Sequence, residues 1–338
     1  MRTETRLLKP LLAALVAASL SLHGTALRAA AQFKIVTATQ GADFQIGRDL
    51  AKFVAPAADV QLDVLASGSS AENLRRLRSE PGVKLATVQS DVYQAVVEQA
   101  ARGNATAEEL VRPLRVMVPL YKEEIHFIAR ADAPFNALHE IKDARINIGP
   151  RRSDTAATIG SLYPLMFGKP LTDAQASYLS HEKALVSLVT DKTIDVVAIV
   201  AGQPAGLVAN MKPEARHYVK LLKLDPRHPA SGAALRRYLP ATVRAESYPA
   251  LLAQDLPTLA VRVYLVTQDF RDHPTEHRLI LLGRSLCQDI SALRTKGHAK
   301  WQEVEPKLGP LPPGMSYYQP TTTELHDCPV RRPARPKP

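Results

Sequence analysis

LDVLASGSSAENLRRLRSEPGVKLATVQSD, residues 62–91, decides how this chain is read. Residues 62–66 are short, apolar and β-prone. Ser67, Gly68, Ser69 and Ser70 make a small polar loop. Ser69 with Glu72 three residues on has the spacing of a helix-capping box. Residues 73–79 then carry Leu74, Leu77 and charged neighbours at helical spacing. Pro81-Gly82 turns the chain, residues 83–88 read as a second strand, and Gln89, Ser90 and Asp91 precede a helix at 92–101. Two polar loops thus stand at the carboxyl ends of neighbouring strands, each opening a helix. Open α/β sheets bind ligands there, and helix N-termini favour anions.

The same stretch resembles the solute receptors of tripartite ATP-independent periplasmic (TRAP) transporters, in the subfamily called TAXI. Those proteins have a similar strand, Gly/Ser loop, helix reading like ENLRLL, and strand ending in a motif like VQSD. The matching residues here are Ser67 to Ser70, Glu72 to Leu77 and Val88 to Asp91. Looser matches follow in order. Gly149, Pro150, Ser153 and Thr155 keep the frame of a G-P-x-G-S-G-T loop, with Arg152 and Asp154 where glycines are common. Ile194-Asp195-Val196, Gly202-Gln203-Pro204, Ser247-Tyr248-Pro249 and the segment 311–318 complete the series, so the resemblance spans about residues 33–318.

The ends of the chain carry the address and most of the charge. Residues 1–31 read as a secretory signal peptide: Arg2, Arg6 and Lys9, an apolar run at 11–22, then Ala29-Ala30-Ala31 for cleavage. The apolar run is short for a membrane span, so an uncleaved anchor is the weaker alternative. The formal charge of +10 is concentrated in this segment and in the last nine residues, which hold Arg331, Arg332, Arg335 and Lys337 without an acid. The rest is close to balanced, which is no nucleic-acid footprint. The Pro-rich end PVRRPARPKP reads as disordered. An exported chain permits a disulfide between its two cysteines, Cys287 and Cys328; two unpaired thiols are the alternative.

The first strand is expected at 33–39, ending in Thr39, with Gln40 and Asp43 in the loop after it and a helix at 44–54. The receptors this chain resembles have a more Gly-rich loop here. Asp43 would repel an anionic ligand and attract an amine, or cap its own helix. The chain is expected to cross into a second lobe near 121–130 and to return along a strand at 259–267. In the second lobe, strand 145–148 leads to Arg151, Arg152, Ser153 and Thr155, then to a helix at 156–167. Either arginine can clamp a carboxylate with two parallel hydrogen bonds, or both can be solvated. A buried strand at 194–200 leads to Gln203, which could face the cleft, and Pro204 suits a first helical position. Closing helices are expected at 276–290 and 291–300.

No enzyme constellation emerges. His273 and His277 have the spacing of two ligands on one helix face, but Pro274 intervenes and no third ligand stands near. ASGSSA at 66–71 lacks the G-x-S-x-G frame of a nucleophile elbow. Phosphate-binding and dinucleotide fingerprints are missing, so no cofactor is implied.

The resemblance implies an α/β protein of the type II periplasmic binding fold, with two α/β lobes, a ligand cleft and two hinge crossovers. Its divisions are a signal peptide at 1–31, lobe 1 at 32–125 with 241–318, lobe 2 at 126–240, and a basic tail at 319–338. The ligand set expected from the loops is Thr39, Gln40, Asp43, Ser67, Ser69, Ser70, Gln89, Ser90, Arg151, Arg152, Ser153, Thr155 and Gln203. The resemblance implies a periplasmic receptor, monomeric, that captures an amino acid or organic acid and delivers it to the membrane subunits of a TRAP-type transporter. A same-fold receptor serving a sensor protein, or an exported enzyme on a related fold, are the alternatives.

Overall fold

A computed structural model of the chain describes residues 30–39, 41–326 and 328. Most of the expected signal segment, Gln40 and most of the basic tail lie outside the described residues.

The first half builds from β1 (Ala31–Ala38), α1 (Gly41–Asp49), β2 (Val60–Ser67), α2 (Ser70–Ser79), β3 (Val83–Gln89), α3 (Ser90–Ala101) and α4 (Ala105–Val111). β1 pairs in parallel with β2 on one side and β3 on the other. The capping reading holds in geometry: Ser69 Oγ accepts from the amide of Glu72 at 3.3 Å, and the Glu72 carboxylate accepts from the amide of Gly68 at 2.9 Å. Two orphan donors at the start of α2 are thus satisfied. β3 reads VKLATVQ without polar alternation because both its faces are covered, and only Lys84 is partly exposed.

Then β4 (Leu114–Arg130) runs for 17 residues without a break. The second half follows with β5 (Ile146–Asn147), α5 (Asp154–Phe167), β6 (Ala176–Ser177), α6 (His181–Val189), β7 (Val196–Ala201), α7 (Gly206–Ala209), β8 (Val219–Leu221), α8 (Ser231–Arg237) and β9 (Leu239–Val243). β10 (Leu256–Gln268) returns antiparallel to β4, and the chain closes with α9 (His273–Lys296) and α10 (Gln319–His326). One mixed sheet results, in the order β2-β1-β3-β10-β4-β7-β5-β6, with β8 on β4 and β9 on β10.

Apolar packing divides this sheet into two lobes. Phe33 to Tyr121 and Val263 to Leu325 supply the clusters under one half. Ile125 to Val261 supply those under the other. Both changes fall inside the long strands, between Tyr121 and Ile125 in β4 and between Val261 and Val263 in β10. The β4–β10 register slips between Arg262 and Tyr264, at the crossing itself. Val243, Tyr248 and Leu259, in the part of the chain expected to return to the first lobe from 241, pack in the second.

Two local differences have plain causes. The closing segment is one 24-residue helix, α9, because no Gly or Pro separates residues 290 and 291, and Asp272 caps its start through the amide of Thr275 at 2.9 Å. Residues 319–326, assigned to the tail, form α10, whose Thr321 and Leu325 are buried; Thr321 packs on Gly283 of α9. The structure joins Cys287 of α9 to Cys328, with Cα atoms 5.4 Å apart.

Candidate functional site

The carboxyl ends of the parallel strands point their loops at the junction of the two lobes. From the first lobe come Asp43 after β1, residues 67–70 at the end of β2 and beyond, and residues 89–91 at the end of β3 and beyond. From the second come the turn ending in Asp154 after β5 and Gly202-Gln203 after β7.

Ser70 is where they meet. Its amide donates to both carboxylate oxygens of Asp154, at 2.8 and 3.0 Å, and its hydroxyl donates to Oδ2 at 2.8 Å. The same hydroxyl accepts from the amide of Gln89 at 3.0 Å. One helical turn along α5, Thr158 Oγ1 donates to Oδ2 of Asp91 at 2.7 Å. Arg237 of α8 pairs with Glu98 of α3 across the same face. Beyond β7, a Cβ built on Gly202 would lie 3.1 Å from the Cβ of Ala42 and 2.9 Å from Cε of Lys300. The lobes are thus closed on each other.

The junction is acidic. Asp43 accepts from the hydroxyls of Thr87, at 2.6 Å, and of Tyr121, which is fully buried. The Gln89 side-chain amide donates to Glu123. Burial raises the pKa of Asp43, Asp91, Glu123 and Asp154. Asp154 is pushed up to about 7, by burial first, against the opposing hydrogen bonds from Ser70, and further by the charges of Asp91 and Asp43. Glu123 rises well above the usual carboxylate range through burial and the nearby Asp43. Among the described residues, none of these four carboxyls makes an ion pair within 4.0 Å. The nearby ammonium, Lys300, is committed to Glu124 at 2.9 Å and Glu303 at 2.7 Å.

Of the expected ligand residues, Asp43, Ser70 and Gln89 stand in this cluster. Others are used in the fold. Ser67 bonds Asn73, Ser69 caps α2, and Ser153 caps α5 through the amide of Ala156 at 3.2 Å. Thr155 Oγ1 accepts from the amide of Val200 at 3.3 Å, and Ser90 Oγ from that of Arg262 at 3.0 Å. Gln203 is tied to β9 and the residue after it: its Nε2 donates to the Thr242 carbonyl and its Oε1 accepts from the Arg244 amide, both at 2.8 Å. Thr39 is exposed, and Gln40 lies outside the described residues. Arg151 stacks on the Tyr178 ring, 3.9 Å from its centroid, and Arg152 is exposed with a φ of 67°. The two arginines therefore sit at the rim, outside the buried cluster.

Sequence reasoning left out Asp91, Glu123, Asp154, Tyr121, Thr87 and Thr158. Asp154 had one local signal, a carboxylate where the resembled loop has glycine. Glu123 had none, because its neighbours arrive from α1 and β3. Two cavities adjoin the junction. One of about 360 Å³ lies beside the Ser70–Asp154 contact, between Leu74, Asp91, Val92, Ala157 and Ser161. One of about 420 Å³ lies at the crossing, between Lys122, Glu124, Thr242, Arg244 and Glu303.

Comparison with known proteins agrees with this architecture. The periplasmic binding protein BugD superimposes with a TM-score of 0.51 at 12% identity, over 87% of this chain and 92% of that one. The arginine-, lysine-, histidine-binding protein ArtJ of Geobacillus stearothermophilus gives a TM-score of 0.46 at 11% identity, covering 83% and 97%. A TctC solute-binding protein from Polaromonas gives 0.41 at 15%, covering 76% and 83%. Such identities speak to fold alone, and of these three BugD has the TM-score above 0.5. The family description that matches spans residues 35–282. This chain has the two-lobed fold of the periplasmic binding proteins and belongs to the NMT1-like family.

Proposed function

We propose that this protein is an exported solute receptor that closes its two lobes around a small, amine-bearing solute of the amino-acid class. It performs no chemistry on the solute. It hands the solute to a membrane transporter, of the tripartite type that the sequence resemblance implies, and works as a monomer in the periplasm. The observation that carries the reading is the acidity of the junction: Asp91 and Glu123, buried, and Asp43 and Asp154, half-buried, stand together and, among the described residues, form no ion pair. A ligand ammonium would supply the missing countercharge, whereas a plain dicarboxylate would add to the repulsion. Asp43, Ser70 and Gln89 would form the floor of this site, and the exposed Arg151 and Arg152, in the turn before Asp154, would meet the solute's carboxylate.

The test is a thermal-shift panel on the mature protein with L-arginine, L-lysine, L-glutamate and succinate. A ligand at a hundred times its Kd adds about 2.7 kcal/mol of stability, or about 2 °C or more in Tm for a protein of this size. The reading expects the basic amino acids to give that shift and succinate to give none. Stabilisation by succinate alone would sink it.

A further inference from the structure

We infer that Asp154 is a built-in occupant of the carboxylate-accepting corner of the first lobe, holding the two lobes together and denying that corner to a ligand carboxylate. At the start of α2 two donors of one residue converge on a single carboxyl group: the Ser70 amide and the Ser70 hydroxyl. A ligand carboxylate would be expected there, at the N-terminus of a capped helix. The group that fills it instead belongs to the opposite lobe, 84 residues away in sequence. Asp154 is delivered by the first turn of α5, which Ser153 caps. It therefore does from within what a bound anion does from solution, bridging the lobes with the geometry of a ligand. The second bridge, Thr158 to Asp91, lies one turn further along α5, reaches α3 rather than α2, and needs the same closure.

The consequence for specificity rests on the receptor reading above. With the corner filled and Asp43, Asp91 and Glu123 around it, an incoming anion must displace a tethered carboxyl, whose effective concentration is far higher than that of any free competitor. A cation meets no such competitor.

The experiment separates the two ideas. Spin labels placed through Arg78→Cys on α2 and Val186→Cys on α6 report the distance between the lobes. Both sites are exposed, and the native cysteines are paired with each other. Without ligand, the wild-type background should give one short distance. Asp154→Gly should lengthen it, and acetate at pH 6 should restore it while neutral acetamide does not. Asp154→Asn, which keeps the side chain's shape and its start-of-helix position, should open the cleft partway and guards against a misfolded glycine variant. In calorimetry, Asp154→Gly should bind succinate at least 10-fold more tightly than wild type. An unchanged distance in both variants, or closure indifferent to acetate, would overturn the role of Asp154 even if the amino-acid panel succeeds. A silent panel together with acetate-restored closure would instead keep Asp154 and remove the solute reading.

Discussion

Asp154 illustrates how a single residue acquires a property its sequence neighbours do not hint at. Its carboxyl lies near Asp43 of α1, Asp91 of α3 and Glu123 of β4, and it accepts from Ser70 of α2. The charged group nearest on the basic side, Arg237 of α8, acts on Asp91 and is itself paired with Glu98. A carboxyl whose folded pKa is raised binds more protons in the folded state than in the unfolded one. Stability is then largest below the unfolded value and falls as pH rises through the folded one. For Asp154 the window runs from the ordinary 3.8 to about 7. Thermal unfolding should accordingly show Tm falling between about pH 4 and pH 7. Asp154→Asn should flatten that slope, by on the order of 1 kcal/mol across the window once partial exposure is allowed for. A Tm profile identical in wild type and variant would mean the junction titrates elsewhere.

At the scale of elements, the most consequential join is the short 3-10 turn Ala299–Glu303 against β4. It brings Lys300, 1% exposed, onto Glu124, 2% exposed, while the amide of Gln203 donates to the same carboxylate at 2.9 Å. The C-terminal segment, the crossing strand and the second lobe are therefore tied at one buried charge. Such a pair need not stabilise the fold relative to an apolar core, but removing one partner strands the other. Lys300→Ala should cost about 3–5 kcal/mol in denaturant unfolding. Adding Glu124→Gln should recover part of that loss; full additivity of the two changes would argue that the pair is not coupled. The disulfide from α9 to Cys328 closes the same end of the molecule over 41 residues, which in the chain-entropy account contributes about 3–4 kcal/mol.

For the whole molecule, the important fact is that one sheet carries two cores. β4 and β10 pass through the division without interruption, so the lobes can only rotate by bending these two strands near Tyr121–Ile125 and Arg262. A side chain at Gly202 would run into the opposite lobe, since a Cβ built there would lie 3.1 Å from the Cβ of Ala42. Gly202→Val should act as a wedge, enlarging the radius of gyration in small-angle scattering and weakening solute binding at least tenfold, with the cores and their far-ultraviolet dichroism unchanged. An unaltered scattering curve would show that the lobes do not meet there.

The division between sequence and structure follows from distance along the chain. The crossings expected near 121–130 and 259–267 came from the family resemblance; strand–loop–helix units and the Ser69–Glu72 cap rest on periodicity and on interactions spanning a few residues, so they were legible from the residues alone. So was the placing of Asp43, Ser70 and Gln89 at or just beyond strand ends, Gln89 being the last residue of β3. The roles of Ser67, Thr155 and Gln203 were not, since a polar side chain in a loop serves the backbone or a ligand with equal propensity, and only the packing chose. The acidic junction itself is wholly tertiary. Its bonds join Ser70 to Asp154, Gln89 to Glu123 and Asp43 to Tyr121, over separations of 84, 34 and 78 residues. No local pattern encodes which carboxylates will share one desolvated volume; that is decided when two lobes, each folded by its own apolar core, close on each other.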